Sequence, residues 1–135
     1  MTAGYSGTPL AKKLGFTPGT VVAVLNEPGE FRQLADPLPP GVTFRSNVRG
    51  KADIVMLFTK SRSELTRRLD SLGRTVYPDG AIWVCWPKKA AMIATDMTED
   101  AVRAVALPSG LVDVKVCALD ETWSALKIVW RKELR

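Results

Sequence analysis

Histidine is absent from this sequence. That removes the commonest general base at neutral pH, the usual nitrogen ligand of a metal, and every catalytic triad built on imidazole. Acid–base chemistry would have to fall to carboxylates, lysines or tyrosine. Cysteine is nearly absent: Cys85 and Cys117 both lie inside apolar stretches, where a thiol behaves as a small hydrophobe. Two reduced core thiols and no metal site are expected. No apolar run approaches the ~20 residues of a membrane span. The opening Met1-Thr2-Ala3-Gly4-Tyr5 also lacks the charged and apolar regions of a signal peptide. These two absences predict a cytoplasmic protein with no membrane partner.

What is present is a chain of 135 residues, 46% hydrophobic, the size of one compact domain able to bury a core. Residues 1–135 read as a single unit with no repeat, linker or low-complexity tract. The net charge of +5 favours anionic partners, but the 19 basic residues are scattered and form no block. Nucleic acid is therefore permitted as a partner, through Arg45, Arg49, Lys51, Arg67 and Arg68, without being indicated.

Along the chain, Thr8-Pro9-Leu10-Ala11-Lys12-Lys13-Leu14-Gly15 reads as a short helix with Thr8 as cap, Pro9 first and Gly15 at its end. Thr20 to Leu25 is a β-branched apolar run of the kind buried on both faces of a parallel sheet. Glu30 to Ala35 has room for only a short helix before the proline-rich Asp36-Pro37-Leu38-Pro39-Pro40-Gly41, and Val42 to Phe44 follows as a brief edge strand. Asp53 to Phe58 is a second buried strand. Ser61 and Glu64 form a capping-box pattern for a helix whose Leu65, Leu69 and Leu72 share one face, with Glu64 and Arg68 four apart on its wet side. The turn Tyr77-Pro78-Asp79-Gly80 then feeds the strand Ala81 to Trp86, which stops at Lys88-Lys89. A second cap at Asp96 to Glu99 opens a helix to about Ala106, closed by Pro108 and Gly110. Leu111 to Leu119 and Ser124 to Trp130 are joined by a short connector and read as an antiparallel pair.

The fold class this predicts is α/β: a Rossmann-like three-layer sandwich on a mostly parallel sheet, with an antiparallel C-terminal strand. The element order resembles a reduced class I methyltransferase, whose last strand inserts antiparallel beside its neighbours. The motifs Gly4-Tyr5-Ser6-Gly7-Thr8-Pro9-Leu10, Trp86-Pro87-Lys88-Lys89, Thr95-Asp96-Met97-Thr98-Glu99 and Leu111-Val112-Asp113-Val114-Lys115-Val116-Cys117 are similar to those of the domain of unknown function 3052 family, found mainly in actinobacteria. That second resemblance spans nearly the whole chain and implies no particular activity. The methyltransferase resemblance implies S-adenosylmethionine as cofactor, yet the loop after the first strand, Leu25-Asn26-Glu27-Pro28-Gly29-Glu30, has one glycine where close approach of a nucleotide needs several. S-adenosylmethionine is accordingly not expected, and the cofactor is left unknown.

Open parallel sheets bind ligands beyond the carboxyl ends of their strands. That rule gathers Asn26, Glu27, Thr59, Lys60, Ser61, Trp86, Lys88 and Lys89 on one edge, a candidate ligand site. The three lysines, Ser61 and the first amides of the following helix would suit a small anionic ligand, a carboxylate or phosphate. Trp86 and Trp123, at a strand end and in a connector, are expected half exposed, whereas Trp83 and Trp130 are expected in the core. Tyr5, Ser6 and Trp123 form a secondary candidate surface. Glu27 with Lys88 is the one pairing suited to acid–base work. No P-loop or activated nucleophile is present. The expectation is a non-catalytic domain binding a small anionic ligand or a protein partner. Two alternatives remain open, an atypical methyltransferase-like enzyme in the same crevice and a nucleic-acid-binding protein.

Overall fold

The computed structural model describes residues 8–135. Six strands form one sheet: β1 (Val21–Leu25), β2 (Thr43–Arg45), β3 (Ile54–Phe58), β4 (Ala81–Pro87), β5 (Leu111–Ala118) and β6 (Trp123–Trp130). Their spatial order is β2-β1-β3-β4-β6-β5. The first four are mutually parallel, and β6 runs antiparallel between β4 and β5. This is the predicted mixed sheet with its C-terminal strand inserted. Every residue of β3 and β4 is buried, which accounts for their unbroken apolar sequences.

Helices cover both faces. On one, α3 (Arg62–Val76) and α4 (Glu99–Ala106) pack against Val55, Leu57, Ile82, Val84, Leu126 and Ile128. On the other, the short α1 (Leu10–Lys13) and α2 (Phe31–Ala35) close a second layer around Val22, Val24, Met56, Trp83 and Cys85. Leu65, Leu69 and Leu72 of α3 are all buried, as their spacing requires. Trp83 is fully buried and its Nε1 donates to the Leu14 carbonyl at 3.0 Å, which ties α1 to the sheet. Trp130 is partly buried, and its Nε1 donates to the Gly73 carbonyl at 2.9 Å. A Cβ on Gly73 would stand 2.9 Å from that ring, so the glycine is what lets strand and helix come so close.

Three local expectations are corrected. Thr8 does not cap α1: the helix starts at Leu10 with Pro9 at its N-cap and no side-chain cap. Asp96 does not cap α4: its Oδ1 accepts from the Arg62 amide of α3 at 2.7 Å, and Thr98 caps α4 by accepting from Ala101 N at 3.0 Å. The acid is spent on the neighbouring helix because the loop before α4 crosses the start of α3, where the Lys60 carbonyl accepts from Thr95 Oγ1 and Asp96 N. Finally, Trp86 is only 7% exposed and packs with Val84, Met97 and Val102 under α3 and α4. Strand alternation turns it to the helix-covered face, so its position near a strand end does not expose it.

Candidate functional site

At the carboxyl edge of the sheet the chain leaves β1 through Asn26, which adopts the left-handed conformation (φ 57°). Asparagine tolerates this region better than most residues. Its amide donates to the Phe58 carbonyl at 2.9 Å and to Glu64 Oε2 at 3.0 Å, bridging β1, β3 and the first turn of α3. Glu64 also accepts from Thr59 Oγ1 at 2.6 Å and pairs with Arg68 Nε at 3.2 Å. Burial alone would raise the Glu64 pKa. The hydrogen bonds from Thr59 and Asn26, with Arg68 and Arg67 nearby, outweigh that and hold the carboxyl below its ordinary range.

Two depressions open beside this clasp. One, of about 320 Å³, is lined by Asn26, Pro28, Thr59, Lys60, Ser61 and Glu64; the other, of about 280 Å³, by Gly29, Glu30, Phe31, Leu34, Leu119, Asp120 and Thr122. Pro28, Phe58 and Trp123 line both, so the two depressions adjoin along one crevice wall. The rings of Phe58 and Trp123 meet edge to face at 5.1 Å, and Phe31 stands against Phe58 at 5.4 Å. Trp123 is held there by a turn in which Asp120 Oδ1 accepts from the amides of Thr122 and Trp123, both at 2.8 Å. The walls are therefore largely apolar and aromatic, with polar groups at one end.

Of the predicted site residues, the structure brings together Asn26, Thr59, Lys60, Ser61 and Trp123. Glu27 turns instead to Arg32, which donates to it through Nε at 2.9 Å and Nη2 at 3.2 Å, so the expected pairing with Lys88 is replaced by a local one. Lys88 gives its amide to the Thr122 carbonyl at 2.8 Å, and its charge bears on Cys117. Lys89 begins a 3-10 turn, Lys89–Ala91. Trp86, Lys88 and Lys89 thus line neither depression. Tyr5 and Ser6 lie outside the described residues. Three of the amides expected to receive an anion are already occupied: Ser61 N donates to Thr59 Oγ1, Arg62 N to Asp96, and Glu64 N to Ser61 Oγ. Sequence reasoning missed Phe31, Leu34, Phe58 and Leu119, which read as core, and Asp120, whose place two residues before Thr122 is a legible Asx-turn signal.

The loops after β1 and β2 depart from the usual cradle of an S-adenosyl cofactor. The Asn26 side chain spans the gap between β1 and β3 that a nucleotide would approach. At the end of β2, where an acid would hold a ribose, Arg45 binds the Asn47 and Gly50 carbonyls at 3.1 and 3.0 Å.

No protein-family model matches the chain, and no curated protein does. Solved structures do. A protein described as a type 11 methyltransferase from Sulfolobus solfataricus superposes with a TM-score of 0.62 at 13% identity, over 91% of this chain and 90% of that one. The magnesium protoporphyrin IX methyltransferase of Synechocystis PCC 6803, with bound SAH, gives 0.59 at 12% identity over 90% and 78%. A SAM-dependent methyltransferase from Aquifex aeolicus gives 0.56 at 12% identity over 88% and 86%. The chain has a class I methyltransferase-like fold, and at these identities the likeness is one of fold alone.

Proposed function

We propose that the domain is a non-catalytic ligand-binding protein of the domain of unknown function 3052 family, a family reading that rests on the quoted motifs alone. Its ligand is a small carboxylate with a flat apolar body. The observation that carries this reading is the crevice shared by Pro28, Phe58 and Trp123, aromatic along its walls and with the exposed Lys60 at its polar end. A planar ring would lie against Trp123 while its carboxylate faced the Lys60 ammonium. Binding is favoured over catalysis because Glu64, the carboxylate that lines the same depression as Lys60, is committed within the protein to Thr59, Asn26 and Arg68, while Glu30 is exposed at the rim. A general base needs an uncommitted lone pair within reach of its proton.

Thermal-shift measurements with benzoate, 4-hydroxybenzoate and indole-3-carboxylate test this, with S-adenosylmethionine and S-adenosylhomocysteine alongside. The aromatic acids should raise the melting temperature of the protein and not that of Trp123→Ala or Lys60→Met. A shift with S-adenosylmethionine and none with the acids would make the protein a donor-binding methyltransferase instead. No shift with any of them would overturn the ligand assignment.

A further inference from the structure

A further depression lies at the opposite, amino edge. About 360 Å³ is enclosed by the turn Gly15–Thr20, the starts of β3 and β4 at Ile54 and Ala81, and three charged side chains, Asp53, Asp79 and Lys127. Water occupies about 30 Å³ per molecule in the liquid, so the space equals about a dozen waters, room for a small organic molecule.

The charges in it do not neutralise one another. Lys127 projects from β6 and is half-buried, yet among the described residues it forms no ion pair or hydrogen bond. The charge it faces from the neighbouring strand is another cation, Lys115; burial first, and Lys115 second, push its pKa down. Asp79, in the turn before β4, likewise has no partner among the described residues. Asp53 accepts from the Val21 amide through Oδ2 at 2.8 Å, which leaves Oδ1 for the cavity. An ammonium and two carboxylates thus line one space without closing on each other. Asp53 and Asp79 are exposed at its rim, and it is the half-buried Lys127 whose lost hydration a partner would offset.

The two signs limit what could enter. A polyanion would meet Asp53 and Asp79, and a polyamine would meet Lys127. A zwitterion satisfies both ends at once. Between them Leu14, Ile54 and Ala81 offer an apolar wall. We propose that this amino-edge cavity is a second binding site, taking a free α-amino acid with an apolar side chain. Its carboxylate pairs with Lys127, its ammonium with Asp79 and Asp53, and its side chain lies on Leu14, Ile54 and Ala81. The site is separate from the carboxyl-edge crevice and does not depend on what that crevice binds.

The experiment is an amide-proton NMR titration of the full chain with L-valine and L-leucine at millimolar concentration. N-acetyl-leucine, which lacks the ammonium, and leucinamide, which lacks the carboxylate, serve as matched probes. Saturable shifts are expected for Gly15, Gly19, Thr20, Asp79 and Lys127, with both analogues at least about tenfold weaker than leucine. Lys127→Met should bind leucine and leucinamide equally, because the group that reads the carboxylate is gone. This variant removes a half-buried charge and so is expected to fold, and Asp79→Asn, at an exposed turn position, supplies an independent loss of affinity. Absence of saturable shifts with either amino acid would overturn the proposal. So would equal binding of all three leucine compounds by the unaltered protein, or a Lys127→Met variant that still prefers leucine to leucinamide.

Discussion

Asn26 and Glu64 face each other across the crevice between β1 and β3, the amide nitrogen of one 3.0 Å from a carboxylate oxygen of the other. The asparagine does two jobs there, turning the chain through a left-handed conformation and bridging to Phe58 and α3.

Those two jobs are separable by substitution. Asn26→Gly keeps the backbone conformation and loses the bridge, and should cost about 1 kcal/mol. Asn26→Ala loses the bridge and also forces a Cβ-bearing residue into the left-handed region, for a total of about 2 kcal/mol. Denaturant unfolding of the two variants measures the gap; equal destabilisation would mean that the turn conformation is not under constraint.

Glu64 gives a pH dependence of definite sign. Its folded pKa lies below its unfolded one, so its contribution is complete above the ordinary carboxylate range and is lost as pH falls through the folded value. Glu64→Gln should therefore be less stable than the unaltered protein at neutral pH, by on the order of 1 kcal/mol, with the difference closing in acid. Chemical denaturation at several pH values reads this directly, and a difference that widened in acid would contradict the clasp.

The thiols report on strand order. Cys85 and Cys117 both stand opposite Ala125, one on each side of β6, which separates them by two strand spacings, about 10 Å. A disulfide needs Cα atoms within about 7 Å. Both thiols are free and buried, and burial pushes both pKa values up, with Cys117 adding to the rise at Cys85 and Lys13, Lys115 and Lys88 offsetting it at Cys117. Ellman's reagent should find almost no reactive thiol in the native protein at neutral pH and two after unfolding. An intramolecular disulfide in the oxidised native protein would show β6 to lie elsewhere.

Much of the fold was legible because its signals are local. β-Branched runs mark β1 and β3, leucines at one-face spacing mark α3, and Gly80 marks a turn so tight that a Cβ would stand 2.6 Å from the Asp53 carbonyl. The candidate site was legible in part. The rule about carboxyl edges gathered Asn26, Thr59, Lys60 and Ser61 on one edge, where they line a common depression, since it depends only on strand direction. It failed for Trp86 because which face a strand residue takes depends on register, and for Glu27 because Arg32, five residues on, offered a nearer partner than Lys88. The amino-edge cavity was invisible for a different reason. Asp53 precedes β3, Asp79 lies in the turn before β4 and Lys127 in β6, and they meet only when the sheet is assembled.

The position of β6 reverses two orders. In the chain β5 comes first, but in the sheet β5 touches the parallel strands only through β6. Residues 111–118 therefore join the sheet only once residues 123–130 are in place, although Asp113 also meets Arg103 of α4. A ribosome releases the outer strand before the one that anchors it to the sheet, so the eight residues of β5 emerge ahead of their pairing partner.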